Sequence, residues 1–199
     1  SMEQLLVAAG LLCVAAITPG PNNLVILRAA GTAGMRRTMP MIAGIVLGGL
    51  LLLAVTALGA AAVFAALPSL RRWIALAGAL YLAWLGASLC IAGMSPPGDT
   101  TTSSPLPAGA LGLVGFQFLN PKSWLLVLTV LAAMPATDAY DYLLLVAMFV
   151  LIPTLCLWLW AALGASLARW LARPIARRGV DIVSGALLVA CAALLLIKP

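Results

Sequence analysis

Residues 5–27 read Leu5-Leu6-Val7-Ala8-Ala9-Gly10-Leu11-Leu12-Cys13-Val14-Ala15-Ala16-Ile17, then Thr18-Pro19-Gly20-Pro21-Asn22-Asn23, then Leu24-Val25-Ile26-Leu27. Both flanks are apolar, and together they reach the length of about 20 residues that a membrane helix needs. The centre is different. Proline removes a backbone donor, clashes with the preceding turn and pushes the residue before it out of helical geometry. The helix must therefore unwind or kink at 18–23. At membrane depth, non-helical backbone survives only when it is buried in protein or lines a wet cavity. The stretch predicts a broken membrane helix facing other helices.

A second interruption has the same form. The apolar run ending at Leu119 breaks at Asn120-Pro121-Lys122-Ser123 and resumes at Trp124-Leu125-Leu126-Val127-Leu128. Pro21 and Pro121 stand 100 residues apart in a chain of 199. Between the two halves lies the only low-complexity stretch, residues 95–108, read as a flexible linker. The segments near Arg71-Arg72 and Gly78-Ala79-Leu80 also rhyme with Arg177-Arg178 and Gly185-Ala186-Leu187. This predicts a single membrane domain over 1–199, with repeat 1 at 4–94 and repeat 2 at 109–197. Three helices per half is an odd number, so the second half must enter the membrane upside down. The repeat is then inverted.

Composition agrees. The chain is 64% hydrophobic and 8% charged, whereas a soluble domain carries roughly a quarter charged residues. A soluble globular protein, a disordered chain and a fibre are excluded. The expected fold class is all-α: a polytopic membrane protein of six transmembrane helices, with helices one and four broken. The segments fall at 4–28, 40–67, 72–94, 109–134, 142–168 and 179–197. Met41 to Leu67 and Trp73 to Met94 read as uninterrupted, and Pro153 in segment five is a tolerable kink. Ser1, ahead of Met2, is set aside as an added residue. The first apolar run leads into a second rather than into a small-residue cleavage site, so no cleavable signal peptide is expected.

The net charge of +6 does not point to nucleic acid, because the basic residues sit at segment ends, where they anchor loops. The first, third and fifth loops hold Arg28, Arg36, Arg37, Arg169, Arg173, Arg177 and Arg178, against Arg71, Arg72 and Lys198 opposite. The excess places the odd loops in the cytoplasm and both termini outside. With no histidine, histidine zinc sites, bases and proton relays are excluded, and no metal or cofactor is expected. Cys13, Cys90, Cys156 and Cys191 form no closely spaced pair and read as small apolar residues.

Each break frees backbone N–H groups at the start of the next half-helix, where an anion such as a carboxylate is favoured. Carbonyls at the end of the preceding half-helix form the opposite pole. Two such breaks meeting near the midplane would hold a zwitterion. The candidate binding residues are Thr18, Pro19, Gly20, Pro21, Asn22 and Asn23 at the first break, and Gln117, Asn120, Pro121 and Lys122 at the second. Lys122 is a charge inside an apolar segment, which costs about 2.5–3.5 kcal/mol on insertion scales. It reads either as a carboxylate contact or as a snorkelling anchor. Asp181, placed in the first turn of segment six, is a candidate ammonium contact or protonation site. It could equally complement the helix dipole or pair with Arg177 or Arg178. Gly44, Gly48 and Gly49 suggest close helix packing or the lining of a substrate path, and Trp158, Trp160 and Trp170 suggest packing or interfacial positions.

These motifs resemble the LysE/RhtB family of bacterial amino-acid exporters. The resemblance is carried by Thr18-Pro19-Gly20-Pro21-Asn22, Gly44-Ile45-Val46-Leu47-Gly48 and Leu119-Asn120-Pro121-Lys122-Ser123-Trp124-Leu125, and covers essentially the whole chain. It implies export of an amino acid across the bacterial inner membrane, driven by the proton gradient or the membrane potential. The leading expectation is a secondary transporter for a small amino acid or related zwitterion, with lipid as its surroundings. Homo-oligomerisation stays open. The alternatives are a membrane thiol–disulfide electron conduit, which needs cysteines paired on facing helices, and a small channel or lipid-handling protein. An intramembrane enzyme would have only Lys122 and Ser123 to work with, and none is expected.

Overall fold

The computed structural model describes residues 1–94 and 109–197. The linker expected at 95–108 and Lys198 lie outside the described residues. In chain order the helices are α1 (Met2–Ile17), α2 (Pro21–Ala33), α3 (Met35–Val55), α4 (Ala61–Ala66), α5 (Pro68–Met94), α6 (Ala110–Phe116), α7 (Pro121–Ala133), α8 (Ala139–Ser166), α9 (Ala168–Leu171) and α10 (Pro174–Ile197). Among the described residues there is no strand.

The proline rules act where expected. Thr18, before Pro19, is extended at φ −65°, ψ 137° and ends α1. Gly20, before Pro21, is extended at φ −164°, ψ −176°. Pro21 then opens α2 at the first helical position, where a missing N–H costs nothing. Asn120, before Pro121, sits at φ −85°, ψ 106°, and its side chain accepts from the Lys122 backbone N–H to cap α7. The axes turn by 50° between α1 and α2 and by 62° between α6 and α7. Two described helices, Met35–Ala60 and Ala139–Ser166, are long and apolar enough to cross a membrane; counting each bent pair as one span makes four.

Several boundaries differ from expectation: the first segment runs on to Ala33, the third starts at Pro68 and the fifth at Ala139. Segment two is not uninterrupted: after α3 a π-helical turn covers Thr56–Ala60, with Gly59 at φ 131°. Only glycine takes that conformation without strain. The Thr56 hydroxyl bonds back to the Leu52 carbonyl at 2.7 Å in the preceding turn. Segment two also starts earlier, at Met35, with Pro40 inside the helix. Segment six starts at Pro174 rather than 179. Asp181 therefore stands about two turns into α10, at 3.6 residues per turn, too far in to complement the dipole of its first turn.

Packing follows small residues. α3 lies against α6, with Gly44 facing the Ala110 backbone; a Cβ at Gly48 would stand 2.5 Å from Gln117 Cγ and 2.8 Å from the Val114 carbonyl. Gly164 of α8 faces the Leu27 carbonyl of α2 in the same way. Gly49, by contrast, opens onto space. Gly44→Ala is expected to lower stability by about 1–3 kcal/mol through overpacking. Gly49→Ala should hold or gain stability, since alanine is the better helix former by about 1 kcal/mol. Thermal unfolding of both variants in detergent checks the contrast, and equal effects would contradict it.

α5 and α10 form the most extensive helix pair. A Cβ on Gly86 would stand 2.5 Å from the Gly185 carbonyl, and Gly185 faces the Gly86 carbonyl in return. One apolar cluster gathers Leu24, Val25 and Ile26 of α2 with Leu85, Leu89 and Leu188 of the α5–α10 pair. A second joins Leu12 of α1 to Val127, Val130, Leu145 and Phe149. The outer surface is apolar too: Leu143, Leu151, Leu155 and Leu159 of α8 are each 59–66% exposed. An exposed apolar surface of this kind marks an interaction face, and the bilayer fits it.

Candidate functional site

The two breaks lie against each other. Lys122, at the start of α7, sends its Nζ to the Thr18 carbonyl at 2.7 Å. Asn22, at the start of α2, pairs its amide with that of Gln117. Asn22 Nδ2 donates to Gln117 Oε1 at 2.8 Å, and Gln117 Nε2 donates to Asn22 Oδ1 at 2.9 Å. Ser123 Oγ adds a bond to Gln117 Oε1 at 2.7 Å, and Gln117 Nε2 also donates to the Leu113 carbonyl at 3.1 Å. Each break thus reaches across to the residues just before the other.

The carbonyl pole of α1 is occupied. Asn23 Nδ2 donates to the Thr18 carbonyl at 2.6 Å and to the Ala16 carbonyl at 3.1 Å. Trp160 Nε1 donates to the Ile17 carbonyl at 3.2 Å. At the second break, Trp124 Nε1 donates to the Phe118 carbonyl at 2.7 Å. Buried backbone groups are nearly always paired, and here side chains replace the lost helical partners. The carbonyls expected to face a ligand are thus already in use by Lys122, Asn23 and Trp160. One donor is left over: Asn120 Nδ2 is buried and has no hydrogen-bond partner.

Between the breaks lies a cavity of about 70 Å³. One water needs roughly 10–15 Å³ by this measure, so several waters or one small solute fit. Asn22 and Asn23 line it from the first break and Lys122 and Ser123 from the second, with Ala16, Ile45, Leu126, Pro153 and Leu157 among its apolar walls. Gly20 and Pro21 are buried, and Gly20 is covered by the Lys122 side chain. Gln117 and Asn120, each 1% exposed, sit behind this wall and position its residues. Pro19 is exposed and outside the lining.

Asp181 is not at the cavity. Its Oδ1 lies 3.0 Å from Arg28 Nη1, with the two side chains 10% and 16% exposed. That nitrogen makes no aligned hydrogen bond, so the contact is Coulombic. The partner is Arg28, not the expected Arg177 or Arg178; Arg178 instead donates to the Gly93 carbonyl at 2.7 Å and caps α5. Among the described residues no three His, Cys, Asp or Glu side chains gather as a metal site. Cys13, Cys90 and Cys156 are free thiols.

The profile of the LysE type translocator family matches residues 13–199. The chain belongs to that family. As a LysE type translocator it is a transporter, not an enzyme. The chain is 35% identical over 185 residues to the cysteine/O-acetylserine efflux proteins of Salmonella choleraesuis (strain SC-B67) and Salmonella typhimurium (strain LT2), covering 90% of each chain. It is 30% identical, with the same coverage, to the Escherichia coli O1:K1 protein of that name. No solved structure matches the chain.

Sequence reasoning missed Ile45, Pro153 and Leu157 as walls and Trp160 as a cap. Pro153 had a signal in its proline; the others are ordinary apolar residues until the helices are packed.

Proposed function

We propose that this LysE type translocator exports a small, neutral, zwitterionic amino acid across the bacterial inner membrane, held near the midplane where the two broken helices meet. The observation that carries the reading is the mutual reach of the breaks around one small cavity: Lys122 to the Thr18 carbonyl and Asn22 to Gln117. The substrate carboxylate would lie toward the starts of α2 and α7, where the helix dipoles favour an anion, although the Lys122, Ser123 and Trp124 N–H groups of α7 are already bonded to Asn120. Asn22, Asn23 and Lys122 supply side-chain contacts, and Thr18, Gly20, Pro21, Gln117, Asn120 and Pro121 shape the backbone around them. The names of the relatives support a substrate of the size of cysteine or O-acetylserine.

Six spans in two inverted halves form one membrane domain in this reading. Reciprocal contacts support it: in a molecule with an internal two-fold, elements that touch each other equally are equivalents, as α5 and α10 are through Gly86 and Gly185. That pair is offset by 99 residues, close to the 100 between the prolines. The rhyme of Gly78 with Gly185 is then a misalignment. The arginine distribution supports cytoplasmic odd loops and external termini. The halves rock around a fixed site. With Asp181 committed to Arg28, facilitated export of the neutral substrate down its own gradient gains over proton exchange.

Pro21→Ala and Pro121→Ala should each reduce export while leaving the protein in the membrane. Efflux of labelled O-acetylserine from proteoliposomes measures this, and unchanged flux in both variants would sink the broken-helix site.

A further inference from the structure

The position of Lys122 is unusual for a group expected to hold a carboxylate. Its backbone lies in the first turn of α7, at the positive pole of that helix, yet its ammonium extends to Thr18, at the negative pole of α1. A cation is favoured at a helix C-terminus and disfavoured at an N-terminus. The side chain has room because position 20 is glycine: a Cβ there would stand 2.8 Å from Nζ and 3.0 Å from Cδ. Beside the cavity that Lys122 lines, the ammonium therefore occupies the place that the half-helix geometry offers to the ammonium of a zwitterion.

We propose that Lys122 is a tethered stand-in for the substrate's ammonium group. In the empty transporter its Nζ holds the Thr18 carbonyl. An incoming amino acid displaces it there and leaves it to meet the substrate's own carboxylate. The inference rests on the transport reading above and adds a consequence to it. The empty site stays filled by a cation of the protein itself, so the carrier can return without carrying a co-ion. Net efflux requires that empty return; exchange of substrate for substrate does not.

Two measurements test this. In the first, purified protein in detergent is heated with ethylammonium or with tetramethylammonium, which has no N–H to donate. Ethylammonium should raise the unfolding temperature of Lys122→Ala and leave the wild type unchanged, and tetramethylammonium should shift neither protein. A ligand that binds only the folded state must stabilise it. Equal response of variant and wild type to ethylammonium overturns the proposal. This arm needs no transported substrate, so it stands even if the amino-acid reading fails.

In the second, Lys122→Met, which keeps the bulk of the side chain, is reconstituted in proteoliposomes with O-acetylserine. Loss of most net efflux with exchange retained supports the stand-in. Equal loss of both, or of neither, overturns it. A wild type that moves O-acetylserine in neither mode removes the transport reading and leaves the ethylammonium result to decide this one.

Discussion

Replacing Asp181 by alanine is expected to destabilise the protein by about 3–5 kcal/mol, the range for breaking a buried ion pair from one side. The Arg28–Asp181 contact is short, at 3.0 Å, and both side chains are nearly buried. Removing the carboxylate strands the guanidinium among the apolar residues of α2, with the like charge of Arg177 acting on it as well. Arg28→Ala leaves the mirror problem at Asp181. Replacing both together, as Arg28→Met with Asp181→Leu, removes the desolvation of two charges along with their attraction. Such replacements are often neutral. The double variant should therefore be more stable than either single one, a coupling that a double-mutant cycle of unfolding free energies in detergent reads directly. Single variants no less stable than the double would show that the pair is solvated and contributes little. The pair joins α2, in the first half of the chain, to α10 in the second, and Leu128 occupies the position 100 residues beyond Arg28.

How much of this was legible in the sequence depends on the range of the physics. The breaks were readable because proline acts on its own residue and its neighbours: Thr18, Gly20 and Asn120 are extended for the one reason that each precedes a proline. The apolar segments were readable because the bilayer demands length. The π-helical turn at Thr56–Ala60 was not, since it lies in an unbroken apolar run in which hydropathy carries no information on backbone register; Gly59 was its one local mark. The true start of α10 could have been found, because Pro174 suits a first helical position, but the arginines after it made the stretch read as loop. The partners of Gln117 and Asp181 were out of reach. Asn22 and Gln117 are separated by 95 residues, and nothing short of the packed helices says which polar groups meet. Gln117 and Asn120, each 1% exposed, lie outside the cavity lining, a depth that depends on packing and not on local sequence.

Gln117→Leu should be the most damaging single change at the breaks. The side chain is 1% exposed and its amide serves Asn22 through both atoms, the Leu113 carbonyl and the Ser123 hydroxyl. Leucine fills a similar volume but leaves both polar atoms of the Asn22 amide and the Ser123 hydroxyl without this partner. A buried orphan costs about 1–3 kcal/mol, and with Asn22 and Ser123 half-buried at the cavity a loss within that range is expected in unfolding experiments, with export lost as well. The informative comparison is the double change Asn22→Leu with Gln117→Leu. Replacing both partners of a buried hydrogen bond by apolar groups can be nearly neutral, so stability should largely return. Export should not, if Asn22 serves the substrate from the cavity wall. Efflux of O-acetylserine at the wild-type rate by a stable double variant would reduce the Asn22–Gln117 contact to a structural brace between the breaks. The binding role would then pass to Asn23, Lys122 and the backbone around them.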